Sequence, residues 1–198
     1  MTVQELDSKF KNVIQEFQGD GMANIMFTIG SDANYYIRNR VTKTGTDAEG
    51  TKYRPYSTNP MLAGCSGFLN KSKCPAVSKG KRREMKWVTI ERGGKNVHLY
   101  EIPGGYAEFR RLNNLQSGFV DFAFSNRMWN NIKVIDDRMS ARQGQVVIKA
   151  TTEDDAKKLE GNTKRRTDIL KLSKSEIKDL SVTFDKMVED IFKREGLI

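Results

Sequence analysis

Residues 172–192 read LSKSEIKDLSVTFDKMVEDIF, and this stretch decides how the end of the chain folds. Ser173 followed by Glu176 forms a capping box, which is typical of the first turn of a helix. Apolar residues then recur every three or four positions and predict one stripe about four turns long. The stripe consists of Ile177, Leu180, Phe184, Met187, Val188, Ile191 and Phe192. We therefore predict a long amphipathic helix that packs on the rest of the fold.

The N-terminal part of the chain shows the same periodicity twice. Thr2 with Glu5 forms a second capping box, and a helix is predicted over residues 2–18. Its apolar stripe consists of Val3, Leu6, Phe10, Val13, Ile14 and Phe17. The glycines around Asp20 end this helix, and a second helix is predicted over residues 22–43. Because so few residues separate the two helices, we expect an antiparallel pair.

Two β-hairpins are predicted between the helical ends of the chain. Residues 85–100 alternate in polarity around Gly93-Gly94, and residues 132–150 alternate on both sides of Gly144. Residues 106–128 have mixed spacing and predict a helix followed by irregular structure, and residues 153–160 predict a short helix. The order of these elements is typical of an α+β fold. The length of 198 residues favours a single domain over residues 1–198.

Residues 44–84 form a long segment with little periodicity, rich in Gly, Ser, Thr, Asn, Lys and Pro. A loop of this length within a compact domain is usually functional or ordered by a partner. The segment also carries apolar residues that a solvated linker would not need. These are Tyr53, Tyr56, Met61, Leu62, Phe68 and Leu69. We interpret it as an extended arm that packs on a neighbouring subunit or another protein.

The formal net charge is +9, and much of the excess is concentrated in residues 71–86. The bases of this cluster are Lys71, Lys73, Lys79, Lys81, Arg82, Arg83 and Lys86. A second basic run is residues 164–166. Either run could bind phosphates or an acidic surface, or could simply be a solvated loop. The larger cluster contains no aromatic residue before Trp87, so base stacking has little support.

The search for catalytic chemistry favours a protein that is not an enzyme. His98 is the only histidine and lies in a predicted strand, without a recognisable nucleophile motif. Together with Cys65 and Cys74, His98 gives only three potential zinc ligands, whereas a zinc site usually needs about four. We therefore expect no metal or cofactor. We expect both cysteines to be free thiols, because the N-terminus lacks the features of an export signal. Asp154 and Asp155 fit the acidic start of a helix. No apolar run is long enough to predict a membrane span.

Three segments resemble, in order along the chain, motifs of the tailed-phage virion morphogenesis proteins, a family of tail-completion or neck proteins. Residues 37–40, IRNR, followed by residues 47–57, DAEGTKYRPYS, resemble the family's arginine-ended helix and D-x-x-G-x-x-W-x-P-L-S signature. Residues 125–134, SNRMWNNIKV, resemble T/S-G-R-L-x-x-S-I-x-V, with Asn126 in place of the usual Gly. Residues 162–173, NTKRRTDILKLS, are similar to N-x-R-R-x-x-L-x-L-S. Tyr53 and Tyr56 stand in place of the family's Trp and Leu.

The resemblance implies a structural protein without catalytic activity at the head–tail junction of a virion, made in the host cytoplasm. Its copies would form a homo-oligomeric ring that contacts portal or connector proteins and tail proteins, with nonspecific contact to genome DNA and no membrane. The candidate interaction residues are Tyr53, Pro55, Tyr56, Lys79, Lys81, Arg82, Arg83, Trp129, Arg165 and Arg166. The alternative function is a basic nucleic-acid-binding module. A ring protein should form large oligomers, whereas such a module should bind DNA with steep salt dependence.

Overall fold

The computed structural model describes residues 2–70, 74, 86–123, 125–135, 141–165 and 168–198, and for Arg165 it describes the backbone only. The predicted α+β fold class is confirmed, with an N-terminal helical pair, small antiparallel sheets and a long C-terminal helix. Contacts within the chain gather into two compact units. Unit 1 comprises residues 1–51 and 127–198, and unit 2 comprises residues 52–126. The single domain stays a prediction.

Unit 1 begins with two consecutive helices. Helix α1 spans Val3–Gln18 and starts with the predicted capping box, in which the Glu5 amide donates to Thr2 Oγ1 at 3.2 Å. Helix α2 spans Asp20–Asn39, so the break between the helices is Gly19 alone and not the three residues predicted. A π-helical turn, Arg40–Thr44, extends α2 and ends at a left-handed glycine.

The C-terminal helix, which we number α6, spans Lys174–Arg194 and packs against α1 and α2. Its capping box is confirmed, because the Glu176 amide donates to Ser173 Oγ at 3.2 Å. Val13, Ile25 and Ile191, one from each helix, are buried together. The stripe that surrounds them is partly buried and consists of Phe17, Ile29, Phe184, Met187, Val188, Phe192 and Leu197.

A second hairpin packs on α2 in unit 1. Strands β4 (Ile132–Ile135) and β5 (Val147–Ala150) pair antiparallel, as predicted. A β-carbon at Gly30 of α2 would lie 2.8 Å from a Val134 methyl carbon. Glycine at this position therefore lets the hairpin approach the helix backbone closely. The short helix α4 (Arg127–Asn131) leads into β4, and helix α5 (Glu153–Arg165) follows β5 and is longer than predicted.

Unit 2 contains a three-stranded antiparallel sheet with the order β1-β3-β2. Strand β1 spans Met61–Ala63, β2 spans Trp87–Arg92 and β3 spans Lys95–Ile102. The predicted Gly93-Gly94 turn is confirmed, since both glycines have positive φ. Helix α3 (Gly105–Leu112) follows the sheet. The buried core of the unit consists of Ala63, Phe68, Cys74, Tyr100, Ile102 and Phe109.

The structure corrects two expectations about residues 44–84. Tyr53 and Phe68 are buried within their own chain, and β1 pairs with β3, so this part of the segment packs on its own chain and not only on a neighbouring subunit, whereas Leu62 and Leu69 are 44% and 49% exposed. Of residues 71–84 of the predicted arm, all but Cys74 lie outside the described residues. Cys65 and Cys74 form a disulfide, so the expectation of free thiols is wrong. Folding brings the two residues together beside the Tyr100 hydroxyl.

Candidate functional site

The first and third motif segments meet at the guanidinium group of Arg40 in unit 1. Arg40 Nε donates to Glu176 Oε1 at 2.8 Å, and its two terminal nitrogens donate to the carbonyls of Thr46 (2.9 Å) and Lys171 (2.7 Å). Both charged side chains are nearly buried. Glu176 also accepts the Ser173 amide in the capping box. One arginine thus connects the end of α2, the following loop and the start of α6.

A cleft of about 790 Å³ opens beside this arginine. One wall is the loop 44–50 that follows α2, and the other is the segment 171–177 at the start of α6. Lys171 Nζ lies 2.5 Å from Glu49 Oε1 between these walls, and both side chains are about half exposed. This hydrogen bond lowers the pKa of Glu49 and raises the pKa of Lys171. The pair joins the two walls, and because it is exposed it contributes little stability.

A second charged network lies inside unit 2 and includes Tyr56 of the first motif. Arg110 donates to Asp121 Oδ2 at 2.8 Å and to the carbonyls of Gln116 and Ala123. The Tyr56 hydroxyl donates to Asp121 Oδ1 at 2.7 Å, and its ring lies 4.4 Å from the guanidinium carbon. Burial, followed by this hydrogen bond, raises the pKa of Tyr56. Every nitrogen of the guanidinium has an acceptor, so the network is a closed structural support.

The structure places the candidate interaction residues in three kinds of environment. Trp129, only 2% exposed, and Tyr53 are buried, which places them inside the fold rather than on an interaction surface. Tyr53 packs edge-on against Phe122 at 5.2 Å. Pro55 is exposed, and Tyr56 is half-buried in the network just described. Arg165 ends α5, while Lys79, Lys81, Arg82, Arg83 and Arg166 lie outside the described residues.

A buried carboxylate connects the second motif to α5. Asp155 accepts hydrogen bonds from Asn131 Nδ2 (2.6 Å), Thr152 Oγ1 (2.7 Å) and Lys158 Nζ (2.8 Å). These bonds, that from Lys158 above all, hold the pKa of Asp155 well below its usual range. Asp155 therefore anchors the first turn of α5, in keeping with the helix-start interpretation.

Asn126 of the second motif has φ +58°. This left-handed conformation is open to Asn as well as to Gly, the usual residue of the resembled motif at this position.

The remaining candidates for chemistry are dispersed. His98 lies on the exposed face of the β2–β3 hairpin, where Nδ1 is 3.1 Å from Thr89 Oγ1. Within the described part of the chain, no group of three or more His, Cys, Asp or Glu side chains could hold a metal ion. The helices among these residues are also too short or too polar to cross a membrane.

Sequence reasoning missed both arginine networks. Arg40 was part of a quoted motif and Glu176 of a capping box, but their pairing joins residues 136 positions apart. Arg110 and Asp121 lie in a stretch with mixed spacing, where no pattern marks them as buried. In the sequence, the only indication that Arg110 and Asp121 are buried is that each has aromatic or aliphatic neighbours.

Comparisons with protein-family models, with curated proteins and with solved structures find no match.

Proposed function

We propose that this chain is a structural protein of the head–tail junction of a tailed phage. In this role it acts without catalysis as a neck or tail-completion ring component between the portal or connector and the tail. The observation that carries the proposal is the meeting of the first and third motif segments at Arg40. Residues that carry a family resemblance should be those that build the common framework. Arg40, at the end of the first motif's helix, is hydrogen-bonded to the Thr46 carbonyl in the following loop, to the Lys171 carbonyl of the third motif and to Glu176 in α6.

Two further features support the proposal. Asn126 has the conformation that the motif glycine would require. Val3, Phe10 and Ile14, which belong to one apolar stripe of α1, are exposed, and neighbouring exposed apolar side chains are typical of a surface that another molecule covers. Copies that associate through such surfaces in a head-to-tail manner close into rings when the rotation between them allows it.

The test is to determine the mass of the purified chain in solution, by native mass spectrometry, together with its affinity for DNA. We expect a closed oligomer of one defined copy number and only weak, nonspecific DNA binding at physiological salt. Mass spectrometry of purified virions should also detect the protein. A monomer or dimer that binds DNA tightly, with affinity that falls steeply with salt concentration, would instead favour the nucleic-acid-binding module.

A further inference from the structure

The two cysteines of unit 2 are joined by a disulfide, yet solvent reaches them to different extents. Cys74 is 0% exposed and belongs to the buried core of the unit. Cys65 is half-buried and packs against the outside of that core. It begins the 3₁₀ turn Cys65–Gly67, in which Ser66 and Gly67 are exposed. A dissolved reagent can therefore approach the disulfide from the Cys65 side.

The hydroxyl group of Tyr100 lies beside both sulfur atoms of the disulfide. Cys65 Sγ and Cys74 Sγ are each within hydrogen-bonding distance of Tyr100 Oη. Because a disulfide sulfur carries no proton, the hydroxyl can only be the donor in these contacts. Burial raises the pKa of Tyr100, so the phenol keeps its proton at neutral pH. The intact disulfide thus has a hydrogen-bond donor next to it.

The sheet and the core of unit 2 hold the Tyr100 side chain in place. Tyr100 lies in the central strand β3, where its backbone pairs with Ala63 of β1 and with Trp87 of β2. Its ring packs edge-on against Trp87 at 4.7 Å and against Phe68 at 6.4 Å. Since neighbours on both sides fix the ring, the hydroxyl stays at the sulfurs while the unit is folded.

These features determine which sulfur a thiolate can attack. In thiol–disulfide exchange a thiolate bonds to one sulfur and displaces the other, and the displaced sulfur leaves faster when its thiolate is stabilised. A thiolate from solvent can reach Cys65, whereas attack on Cys74 would require it to enter the core. Cys74 Sγ is then the leaving sulfur. A buried thiolate is costly without a hydrogen-bond donor, and Tyr100 provides that donor.

We propose that Cys65 is a modification site for low-molecular-weight thiols such as glutathione, and that the Tyr100 hydroxyl assists the reaction. The attacking sulfur bonds to Cys65 Sγ, the bond between Cys65 and Cys74 breaks, and its electron pair leaves on Cys74 Sγ. The attacking thiol is oxidised to a mixed disulfide, and Cys74 is reduced to a thiolate that accepts a hydrogen bond from Tyr100 Oη. The step needs no further reactant. It is independent of the proposed role at the head–tail junction.

The first test locates the attached thiol in the unmodified full chain. The folded protein is mixed with glutathione, and the reaction is stopped at short times with excess N-ethylmaleimide in denaturant, which alkylates every free thiol. Peptide mass spectrometry then identifies the group on each cysteine. We expect glutathione on Cys65 and maleimide on Cys74, at least about tenfold above the reverse pattern. Equal amounts of the two patterns, or no exchange while the chain stays folded, would overturn the inference.

The second test removes only the hydroxyl, with Tyr100→Phe. Loss of the donor to the leaving thiolate should slow mixed-disulfide formation at least about fivefold. A merely structural role for the hydroxyl predicts the opposite sign, because a loosened unit 2 would expose the disulfide and speed the exchange. Tyr35→Phe is the matched control, since Tyr35 is 60% exposed, and its rate should equal that of the unmodified chain. An unchanged or faster rate in Tyr100→Phe would overturn the role of Tyr100.

Discussion

Gly30 is the residue whose replacement best tests how the β4–β5 hairpin packs on α2. Helix propensity alone predicts that Gly30→Ala stabilises the chain by about 1 kcal/mol. The new β-carbon, however, would lie 2.8 Å from a Val134 methyl carbon and 2.9 Å from one of Val146. Since valine side chains are stiff and overpacking costs about 1–3 kcal/mol, we expect a net loss of about 1–2 kcal/mol, measured by urea denaturation.

Gly161→Ala is the matched control for Gly30→Ala. Gly161 lies in α5, and no atom lies within 4 Å of its ideal β-carbon position. Here we expect the stabilisation of about 0.5–1 kcal/mol that propensity predicts. Equal effects at both glycines would contradict the close packing of α2 against the hairpin.

Arg110 is the residue on which the buried network of unit 2 depends. Its side chain is only 1% exposed, and its replacement by Met would leave the Asp121 carboxylate buried without a cation. We expect Arg110→Met to lower the free energy of unfolding by about 3–5 kcal/mol. Lys164→Met removes an exposed ion pair with Glu160 and should cost less than about 1 kcal/mol. Similar losses in the two variants, measured by chemical denaturation, would show that the Arg110 network is not buried in solution.

At the scale of elements, Asp155 couples α4 to α5 in a pH-dependent manner. Its pKa is lower in the folded chain than in the unfolded chain, where a carboxyl titrates near 4. The carboxylate therefore stabilises the fold at neutral pH, and this stabilisation is lost as the pH falls below about 4 toward the folded pKa. We expect Asp155→Asn to lower the melting temperature at pH 7 and to make its decline in acid shallower.

Asp154→Asn is the matched control for this pH profile, because Asp154 is exposed at the neighbouring position. We expect it to change the melting temperature at pH 7 much less than Asp155→Asn does. A melting profile of Asp155→Asn that runs parallel to that of the unmodified chain at every pH would be the contrary result.

The disulfide is the covalent element of unit 2. It closes a loop between Cys65 and Cys74, which are nine positions apart. Closing a loop of this length should stabilise the fold by about 2–3 kcal/mol, chiefly by restricting the unfolded chain. Cys74→Ser should therefore unfold at a lower denaturant concentration, and adding a reductant should shift the unmodified chain but not this variant. If a reductant cleaves the disulfide of the unmodified chain without lowering the denaturant concentration at which the chain unfolds, a stabilising role is contradicted.

The elements that the sequence predicted well are those whose signals are local. Capping boxes at Thr2 and Ser173 and the Gly93-Gly94 turn involve residues a few positions apart, and all three are confirmed. The features missed depend on residues far apart in sequence. Arg40 meets Glu176 across 136 positions, and Tyr53 is buried against Phe122. Burial of Tyr53 and of Trp129 could not be predicted, since Tyr53 lies in an irregular segment and the five-residue helix that contains Trp129 is too short to show a periodic pattern.

At the scale of the whole molecule, substitutions in the basic cluster distinguish a role in assembly from a role in nucleic-acid recognition. We expect replacement of Lys79, Lys81, Arg82 and Arg83 by Ala to leave the melting temperature unchanged and to impair incorporation into particles. No aromatic residue lies among these four residues, so base stacking should add no affinity. We therefore expect only weak, nonspecific binding to DNA phosphates. Competition binding among many DNA sequences at physiological salt checks this. A preference above about a hundredfold for one DNA sequence would favour the nucleic-acid-binding module over the structural role.

The division of unit 1 between the two ends of the chain has a consequence for how the protein emerges from the ribosome. Unit 2 is complete once residue 126 has been made, but Val13 and Ile25 acquire their partner only once residue 191 has been made. At a translation rate of about 5–20 residues per second, the apolar faces of α1 and α2 stay uncovered for roughly 10–30 s. During this interval the nascent helical pair can bind chaperones, and selective ribosome profiling should show chaperone binding that persists after residues 52–126 of unit 2 have been made.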